Sequence, residues 1–337
     1  MSNCQITQPI RLGNMELPNR LVLPPVTIFK ASEEGLIGEV SLQHYREKTE
    51  GGAFGLVIVE HSYVSGEGRA SAGQVSAAED CTIDGLRQVA ETIHRNGSRA
   101  VLQLNHAGGY TSREVTGSQP MAPSALRLHP QYTDIPRVMT KEDILAVEEA
   151  FVRAAERTKA AGFDGVEIHS AHTYLLNEFY SPLSNRRTDE YGAASMENRL
   201  RIHTEILQKV RGAVGADFPI LIRLGGCDYQ EGGSTIEDAV AAGVLLQAAG
   251  ADAIDLSGGL CRYILPDRKE PGYFRDMSIA VKAAVSVPVI LTGGVKTVRQ
   301  AEQLLRDGAA DMIGIGRAAM TDYASIRLEM DQLRAAT

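Results

Sequence analysis

One short sequence pattern recurs three times along the chain, and it restricts the possible folds more than any other feature. Each copy has a glycine that can end a helix, a short turn with an aspartate, and then a run of apolar residues. The copies are Ala161-Gly-Phe-Asp-Gly-Val-Glu-Ile, Ala249-Gly-Ala-Asp-Ala-Ile-Asp-Leu and Asp307-Gly-Ala-Ala-Asp-Met-Ile-Gly-Ile. Glycine is favoured just past a helix end because it adopts a positive φ without steric cost. The repeat therefore predicts helices that lead directly into strands.

Eight short apolar runs of this kind alternate with helical segments along the chain. They begin near Arg20, Leu56, Ala100, Val166, Pro219, Asp252, Val287 and Asp311. Continuous runs of Val, Ile and Leu indicate strands that are buried on both faces, as in a parallel sheet. Without a domain linker, eight such units predict one (β/α)8 TIM barrel over residues 1–337, and a doubly wound sheet is the alternative. We also expect an N-terminal β-hairpin around Gly13-Asn14 and long βα loops.

Charge and composition narrow the class of partner. The chain has 34 Lys and Arg against 42 Asp and Glu, a net charge of −8, and no basic run. This disfavours nucleic acid or an anionic membrane as a partner. The segment from Met1 to Pro9 does not resemble a signal peptide, and no apolar run reaches the ~18 residues of a membrane span. We expect a cytoplasmic protein that acts on a small molecule, and a homo-oligomer stays open.

Polar residues and glycines gather where the predicted strands end. In a (β/α)8 barrel the carboxyl ends of all eight strands meet at one face, and active sites lie there. The sequence places at these ends Pro24-Pro25-Val26-Thr27, Glu60-His61, Gln103 with His106, His169 with His172, Arg223, Ser257-Gly258-Gly259, Gly293-Gly294 and Gly316-Arg317. Their convergence predicts an active site, and the loops 107–140 and 260–275 are expected to shape its pocket.

The last two strand ends predict a phosphate site. Glycines let the backbone approach an anion closely, a helix N-terminus favours negative charge, and Arg317 adds a guanidinium fork. Glycines that only form tight turns are the alternative.

The end of the central strand predicts proton and hydrogen-bond chemistry. His169, His172 and Tyr174 are residue types that donate hydrogen bonds and protons. A metal site is an alternative for the two histidines, but a His-Glu-x-x-His motif is absent, so we expect no metal. The four cysteines, Cys4, Cys81, Cys227 and Cys261, are also too far apart for a Cys-x-x-Cys pair.

The central segment closely resembles the old yellow enzyme family of flavin oxidoreductases. The resemblance is carried by His169-Ser-Ala-His-Thr-Tyr-Leu, by Phe-Tyr-Ser-Pro-Leu-Ser-Asn-Arg-Arg-Thr-Asp-Glu-Tyr-Gly192 and by Glu197-Asn-Arg199, and it extends from Pro18 to Arg317. Members of this family are FMN-bound barrels that take hydride from NADH or NADPH and reduce activated alkenes. The resemblance therefore implies an FMN-dependent reductase of α,β-unsaturated carbonyl compounds.

Other activities stay open beside this one. The same flavin site could act on quinones, nitro compounds or dienoyl thioesters. A flavin-free barrel lyase or isomerase acting on a phosphorylated metabolite is a more distant alternative, and a non-catalytic binding barrel is more distant still. The sequence lacks the Cys-rich segment and second nucleotide domain of the larger dienoyl-CoA reductase relatives, so we expect a free-standing barrel with FMN alone.

The resemblance also implies roles for individual residues. His169 and His172 would bind the substrate's carbonyl oxygen, Tyr174 would donate the proton, and Phe29 would contact the substrate. The residues expected to bind FMN are Pro24, Pro25, Val26, Thr27, His61 through its backbone, Gln103, Arg223, Gly293, Gly294, Gly316 and Arg317.

The sequence departs from the family pattern at three positions. Thr27 replaces the Cys of one bacterial branch, Phe29 stands where that branch often has a Tyr, and Gly109 replaces a common Arg. The charged run of Arg186, Arg187, Asp189 and Glu190 is expected to pin its loop rather than to take part in chemistry.

Overall fold

The N-terminal segment forms the predicted hairpin. The computed structural model of the protein describes residues 4–336, so Met1 and its next two neighbours lie outside the described residues. Strands β1 (Ile10–Leu12) and β2 (Met15–Leu17) pair antiparallel, and Gly13 between them has a φ of +54°. Leu12 and Leu17 are fully buried and belong to one apolar cluster with Leu56 and Leu221, which begin or nearly begin barrel strands. The hairpin therefore packs against the amino end of the barrel.

The remaining elements alternate as the repeat predicted. They are, in order, β3 (Leu21–Leu23), α1 (Glu39–Thr49), β4 (Leu56–Tyr63), α2 (Ile83–His94), β5 (Arg99–Asn105), α3 (Arg113–Thr116), β6 (Met121–Ala122), β7 (Arg137–Val138), α4 (Lys141–Ala160), β8 (Gly165–Ser170), α5 (Leu175–Tyr180), α6 (Met196–Arg199), α7 (Arg201–Val214), β9 (Ile220–Cys227), α8 (Ile236–Ala248), β10 (Ala253–Gly258), α9 (Arg275–Ala284), β11 (Val289–Thr292), α10 (Val298–Arg306), β12 (Met312–Gly314), α11 (Arg317–Thr321) and α12 (Tyr323–Ala335).

Eight of these strands close into a parallel barrel. Its order is β3-β4-β5-β8-β9-β10-β11-β12, and β12 pairs with β3 to complete the circle. The predicted (β/α)8 TIM barrel is confirmed, and the doubly wound alternative is wrong. Because the strands run parallel, all their carboxyl ends lie at one face.

The strand register places a polar level just below that face. Gln103 is paired with Glu167, and Arg223 lies between His169 and Asp255. All five side chains are buried. The lower interior is apolar and packs against the hairpin, so this polar level lies towards the carboxyl face of the barrel.

Helix α4, with 20 residues, begins where the sequence predicted. The Thr140 hydroxyl accepts from the backbone N–H of Asp143, whose carboxylate accepts from the Thr140 N–H, which is a capping box. Among residues 4–336, no helix combines the length and apolar character that crossing a membrane would need.

Three features differ from the sequence-based expectations. The segment 107–140, expected to be one loop, contains α3 and the two-stranded parallel sheet β6–β7. Helix α5 lies in the expected loop after β8, and the helix expected over 196–214 is divided at Leu200. Elements of two to six residues are too short to produce a recognisable hydrophobic period. The division at Leu200 follows buried Arg199, which donates to the Tyr180 carbonyl at 2.6 Å and pairs with Asp238 at 3.1 Å.

Candidate active site

Four aromatic side chains form one cluster at the carboxyl face of the barrel. His61 comes from β4 and His169 from β8, whereas His172 and Tyr174 lie in the turn before α5. The ring centre of His169 is 5.1 Å from that of His172 and 5.2 Å from that of Tyr174, and His61 is 5.2 Å from Tyr174. All four side chains are buried. The structure thus brings together the three predicted catalytic residues and adds the imidazole of His61, from which only a backbone contact was expected.

The turn that carries His172 has an unusual backbone. His172 and Thr173 have φ values of +61° and +71°, a left-handed conformation that is rare for a β-branched residue. The Thr173 N–H donates to Asn177 Oδ1 at 2.9 Å, and the Tyr174 N–H donates to the Ala171 carbonyl at 3.3 Å. Backbone strain of this kind persists where the surrounding structure enforces it and is concentrated at functional sites.

A hydrogen-bond chain fixes the proton position on His61. The Ala70 N–H donates to Gln74 Oε1 at 2.7 Å, so the amide nitrogen of Gln74 faces His61 and donates to its Nδ1 at 2.8 Å. Nδ1 therefore accepts, and the imidazole proton lies on Nε2. Nε2 is 3.5 Å from the Tyr174 hydroxyl oxygen, at the outer limit of hydrogen bonding. His61 thus presents an N–H to that oxygen and leaves the hydroxyl hydrogen of Tyr174 free.

Burial sets the protonation states of the cluster. It lowers the pKa of His61 to about 4 and lowers the pKa values of His169 and His172 well below the usual range, with Arg223 adding to each effect. Burial also raises the pKa of Tyr174. At neutral pH the imidazoles are neutral and Tyr174 keeps its proton. Each imidazole can still donate one N–H, and Nδ1 of His169 is buried without a hydrogen-bond partner in the part of the chain that the structure describes.

Ser257, which sequence reasoning placed at a strand end without a role, holds His172. Its hydroxyl oxygen lies 2.7 Å from His172 Nε2, and both side chains are buried. The His172 ring is thereby oriented from β10 as well as from its own turn.

The polar level below the cluster suits the edge of a flavin. Gln103 donates to Glu167 Oε1 at 2.7 Å. Arg223 Nε lies 3.2 Å from Asp255 Oδ2, yet the two are not aligned as a hydrogen bond, so this buried N–H has no partner among residues 4–336. Burial raises the pKa values of Glu167 and Asp255, whereas the charge of Arg223 lowers both. We assign the charge to Asp255, which lies 3.2 Å from Arg223, and the proton to Glu167, because the charge of Asp255 raises the pKa of Glu167 further. An unpartnered buried guanidinium N–H fits a cofactor edge that carries acceptors, so these residues fit FMN.

The segment Pro24-Pro25-Val26-Thr27 follows β3 beside the end of β12. A Cβ atom at Gly316 would lie 3.2 Å from the Pro24 ring and 3.4 Å from Val26, so these residues are in close contact. Buried Glu60 fixes the far end of the segment, because its carboxylate accepts from the Ile28 N–H at 3.0 Å. Phe29, expected at the substrate, has a φ of +54°, is 51% exposed, and makes no ring contact with the His–Tyr cluster within residues 4–336.

The predicted phosphate glycines surround the ring of Tyr273. Gly293 and Gly294 have φ values of +156° and +69°, and an added Cβ would lie 2.9 and 2.7 Å from that ring. Arg317 Nη2 donates to the Tyr273 hydroxyl at 3.4 Å. The structure therefore brings Gly293, Gly294 and Arg317 together. The packing of Tyr273 gives the two glycines a structural reason of their own, and phosphate binding stays a prediction.

The outer side of the pocket contains residues that sequence reasoning missed. The Tyr110 ring is 5.3 Å from Tyr174 and 4.5 Å from His129, both by ring centres. The guanidinium carbon of Arg262 lies 4.9 Å from the centre of the Tyr110 ring. These residues come from the two loops expected to shape the pocket. An isolated tyrosine after Gly108-Gly109 was the only sequence feature that could have indicated Tyr110.

The charged loop after α5 has the predicted structural role. Arg187 Nε donates to Asp189 at 3.0 Å, and Arg187 Nη1 donates to the Met139 carbonyl at 2.6 Å. Lys141 pairs with Glu190 at 2.8 Å, and the Arg186 N–H donates to Ser124 Oγ. These contacts pin the loop to the start of α4 and to the segment that follows β6.

Comparison with known proteins gives concordant matches over nearly the whole chain. The model of the NADH:flavin oxidoreductase / NADH oxidase family matches residues 5–327. An NADPH dehydrogenase of Bacillus licheniformis is 36% identical over 325 residues, which are 96% of this chain and 93% of the dehydrogenase. The solved structure of morphinone reductase has a TM-score of 0.84 and 28% identity, and the match covers 100% of this chain and 91% of that one.

A longer relative matches this chain over about half of its own length. An NADH oxidase of Thermoanaerobacter brockii is 35% identical over 318 residues, which are 93% of this chain but 48% of the oxidase. The chain thus spans about half the length of that relative.

Proposed function

We infer that this chain, which belongs to the NADH:flavin oxidoreductase / NADH oxidase family (the old yellow enzyme family), is an NAD(P)H-dependent flavin oxidoreductase with FMN. We propose that it reduces the activated C=C bond of α,β-unsaturated carbonyl compounds. One observation carries the proposal: neutral His169 packs against both neutral His172 and protonated Tyr174. Alkene reduction needs hydrogen-bond donors at the carbonyl oxygen and a proton for the α-carbon, and this cluster holds both.

In this proposal residues 1–337 form one FMN-binding barrel domain. When bound, FMN would supply the redox chemistry, which is hydride transfer from NADH or NADPH to the β-carbon of the alkene. Gln103 and Arg223 would hold its pyrimidine edge, the residues from Pro24 to Thr27 and the His61 backbone would line the ring, and Gly293, Gly294, Gly316 and Arg317 would hold its phosphate. Because the hydride donors are cytoplasmic nucleotides, we expect the enzyme to work in the cytoplasm.

His169 and His172 bind the carbonyl oxygen in this mechanism. That oxygen gains negative charge as hydride reaches the β-carbon, so donors that are already in place stabilise the transition state more than the ground state. The bond between His172 and Ser257 and the strained turn at Thr173 keep one of these donors oriented before the substrate arrives.

Tyr174 delivers the proton to the α-carbon. Its raised pKa makes it a weak acid but ensures that the proton is present at every physiological pH. The developing tyrosinate lies where the N–H of His61 points, at 3.5 Å in the resting state. This N–H can stabilise the oxygen once its proton has left.

An absorbance spectrum tests the proposal directly. The purified protein, with FMN added if necessary, is scanned under anaerobic conditions before and after NADH or NADPH. We expect a flavin band that one donor bleaches and that an enone such as cyclohexenone restores, with saturated cyclohexanone as the product. A protein that takes up no FMN would overturn the flavin assignment. A bleached flavin that quinones reoxidise but no unsaturated carbonyl compound does would overturn the choice of acceptor.

A further inference from the structure

Arg262 lies at the outer side of the pocket, and none of the described residues is an acidic partner to it. Its guanidinium carbon lies 4.9 Å from the ring centre of Tyr110 and 5.3 Å from that of Tyr263. Its Nε is buried and has no hydrogen-bond partner, and its guanidinium forms no ion pair within residues 4–336. Arg268, from the same segment, pairs with Asp276 at 2.7 Å. A buried guanidinium N–H normally has an acceptor, so the unpaired Nε of Arg262 is available to an anion that binds in the pocket.

The backbone holds Arg262 in a strained conformation. Its φ is +63°, which is rare for a residue other than glycine, and its N–H donates to the Gly259 carbonyl at 2.9 Å. A Cβ at Gly258 would collide with the Arg262 carbonyl and the Cys261 sulfur. The turn is therefore fixed by close packing. Strain of this kind is typical of ligand clamps as well as of catalytic residues.

The two rings beside Arg262 are direct neighbours of the proposed catalytic residues. Tyr110 lies 5.3 Å from Tyr174, and Tyr263 lies 5.7 Å from His172, both by ring centres. One aromatic ring thus separates the guanidinium from the proton donor, and another separates it from a carbonyl-binding histidine. A molecule whose carbonyl oxygen is hydrogen bonded to His169 and His172 would pass the rings of Tyr110 and Tyr263 on its way to Arg262.

We infer that the substrate carries a carboxylate remote from its reacting carbonyl, and that Arg262 binds this carboxylate. The substrate class is then unsaturated aldehydes or ketones with an anionic end, and the inference rests on the proposed function. A planar guanidinium binds a planar carboxylate through two parallel hydrogen bonds. The stacking of Tyr110 and Tyr263 keeps its plane fixed, so little rotamer entropy is lost on binding. The phosphates of FMN or of NAD(P)H share the same anionic chemistry, and the experiment separates them from a substrate carboxylate.

The test follows flavin reoxidation in anaerobic stopped flow. The acceptors are 4-(4-carboxyphenyl)but-3-en-2-one and its 3-carboxyphenyl isomer, each compared with its methyl ester. In these compounds the ketone activates the alkene and the acid is remote. We expect the unchanged enzyme to prefer at least one acid over its ester by about tenfold or more, as a charge-assisted hydrogen bond allows. Arg262→Gln should abolish this preference with little effect on the ester, and Arg262→Lys should keep part of it.

Two further measurements make the result specific. FMN affinity and the rate of flavin reduction by NADH and NADPH should be unchanged in Arg262→Gln. Arg275→Gln, which removes a charge from an exposed position of the following helix, serves as the matched control and should keep the acid preference.

The inference fails if neither acid is preferred by the unchanged enzyme or if Arg262→Gln keeps the preference. It also fails if the substitution weakens FMN or NAD(P)H binding instead, because Arg262 would then serve a cofactor phosphate. Absence of flavin reduction in every variant would contradict the proposed function itself, and that result is distinct from all of these.

Discussion

The hydroxyl oxygen of Tyr174 lies 3.5 Å from Nε2 of His61, the nitrogen that carries the imidazole proton. The direction of this contact follows from Gln74, whose amide N–H donates to the other ring nitrogen. Tyr174 is thereby an acceptor towards His61 and a donor towards the pocket. The opposite tautomer would accept the Tyr174 proton and turn it away from a substrate. His61 is thus a positioning residue whose effect depends on its tautomer.

Gln74→Glu should reverse this direction with almost no change in shape. A carboxylate accepts from Nδ1–H, so the imidazole proton moves to Nδ1, and Nε2 accepts from the Tyr174 hydroxyl. We expect flavin reoxidation by an enone to slow by about tenfold, near the low end of what general-acid catalysis contributes. The solvent isotope effect should rise because protonation becomes rate-limiting, while flavin reduction by NAD(P)H should not change. Equal reoxidation rates in the variant and the unchanged enzyme would show that the tautomer is irrelevant.

Tyr174→Phe tests the proton donor itself. Removal of the hydroxyl should slow alkene reduction by about a hundredfold, since general acids commonly contribute ~10²–10⁴. Quinone reduction should change much less, because a reduced quinone takes its protons directly from water. The two rates are measured by stopped flow on the same reduced enzyme. Equal losses with both acceptors would contradict the role of Tyr174 as the acid.

The eight strands and the predicted positions of the strand-end residues could be inferred because they depend on local patterns. Apolar runs identify buried strands, and parallel topology then brings their ends together regardless of loop structure. Helix α5 was missed for a physical reason. All six of its residues are buried, so it has no amphipathic period.

The outer pocket could not be predicted, since it depends on loop conformations. Tyr110, His129 and Arg262 are far apart in the sequence and meet only because the two loops fold over the barrel. The proton position on His61 is likewise set by Gln74, 13 residues away, across a contact that no local pattern indicates.

Buried neutral histidines predict a loss of stability in acid. His203 lies 2.7 Å from Ser170 Oγ, is fully buried, and has its pKa lowered to about 3 by burial. The unfolded chain takes up this proton below about pH 6.5, whereas the folded chain does not. The contribution of His203 to the free energy of unfolding should therefore be fully retained above that pH. It should be lost progressively as the pH drops from about 6.5 towards 3. Urea titrations at several pH values should show a smaller fall for His203→Asn, and an identical slope would rule out this histidine as a cause.

Gly294→Ala should weaken FMN binding beyond the effect of backbone strain alone. Gly294 and Gly308 have nearly equal φ values, +69° and +72°, so an alanine costs a similar ~1–2 kcal/mol of conformational energy at each. At Gly294 the new Cβ would lie 2.7 Å from the Tyr273 ring and 3.0 Å from the Glu270 carbonyl oxygen, whereas at Gly308 it would meet nothing within 4 Å. Overpacking should add about 1–3 kcal/mol of destabilisation at Gly294, measured by urea unfolding. Displaced Tyr273 would also shift Arg317, to which it is hydrogen bonded.

Gly308→Ala is the matched control, and a second substitution separates the two explanations of Gly294. Tyr273→Leu removes the ring that the new methyl group would strike most closely and leaves the Glu270 carbonyl oxygen in place. If FMN affinity, measured by flavin fluorescence, recovers in the double variant, Gly294 is required only for packing against Tyr273. The alternative outcome is that the double variant matches Tyr273→Leu alone in stability but binds FMN more weakly. In that case the glycine itself is needed at the phosphate, because a Cβ there blocks close approach of the anion to the backbone. Unchanged FMN affinity in Gly294→Ala would remove Gly294 from the proposed phosphate site.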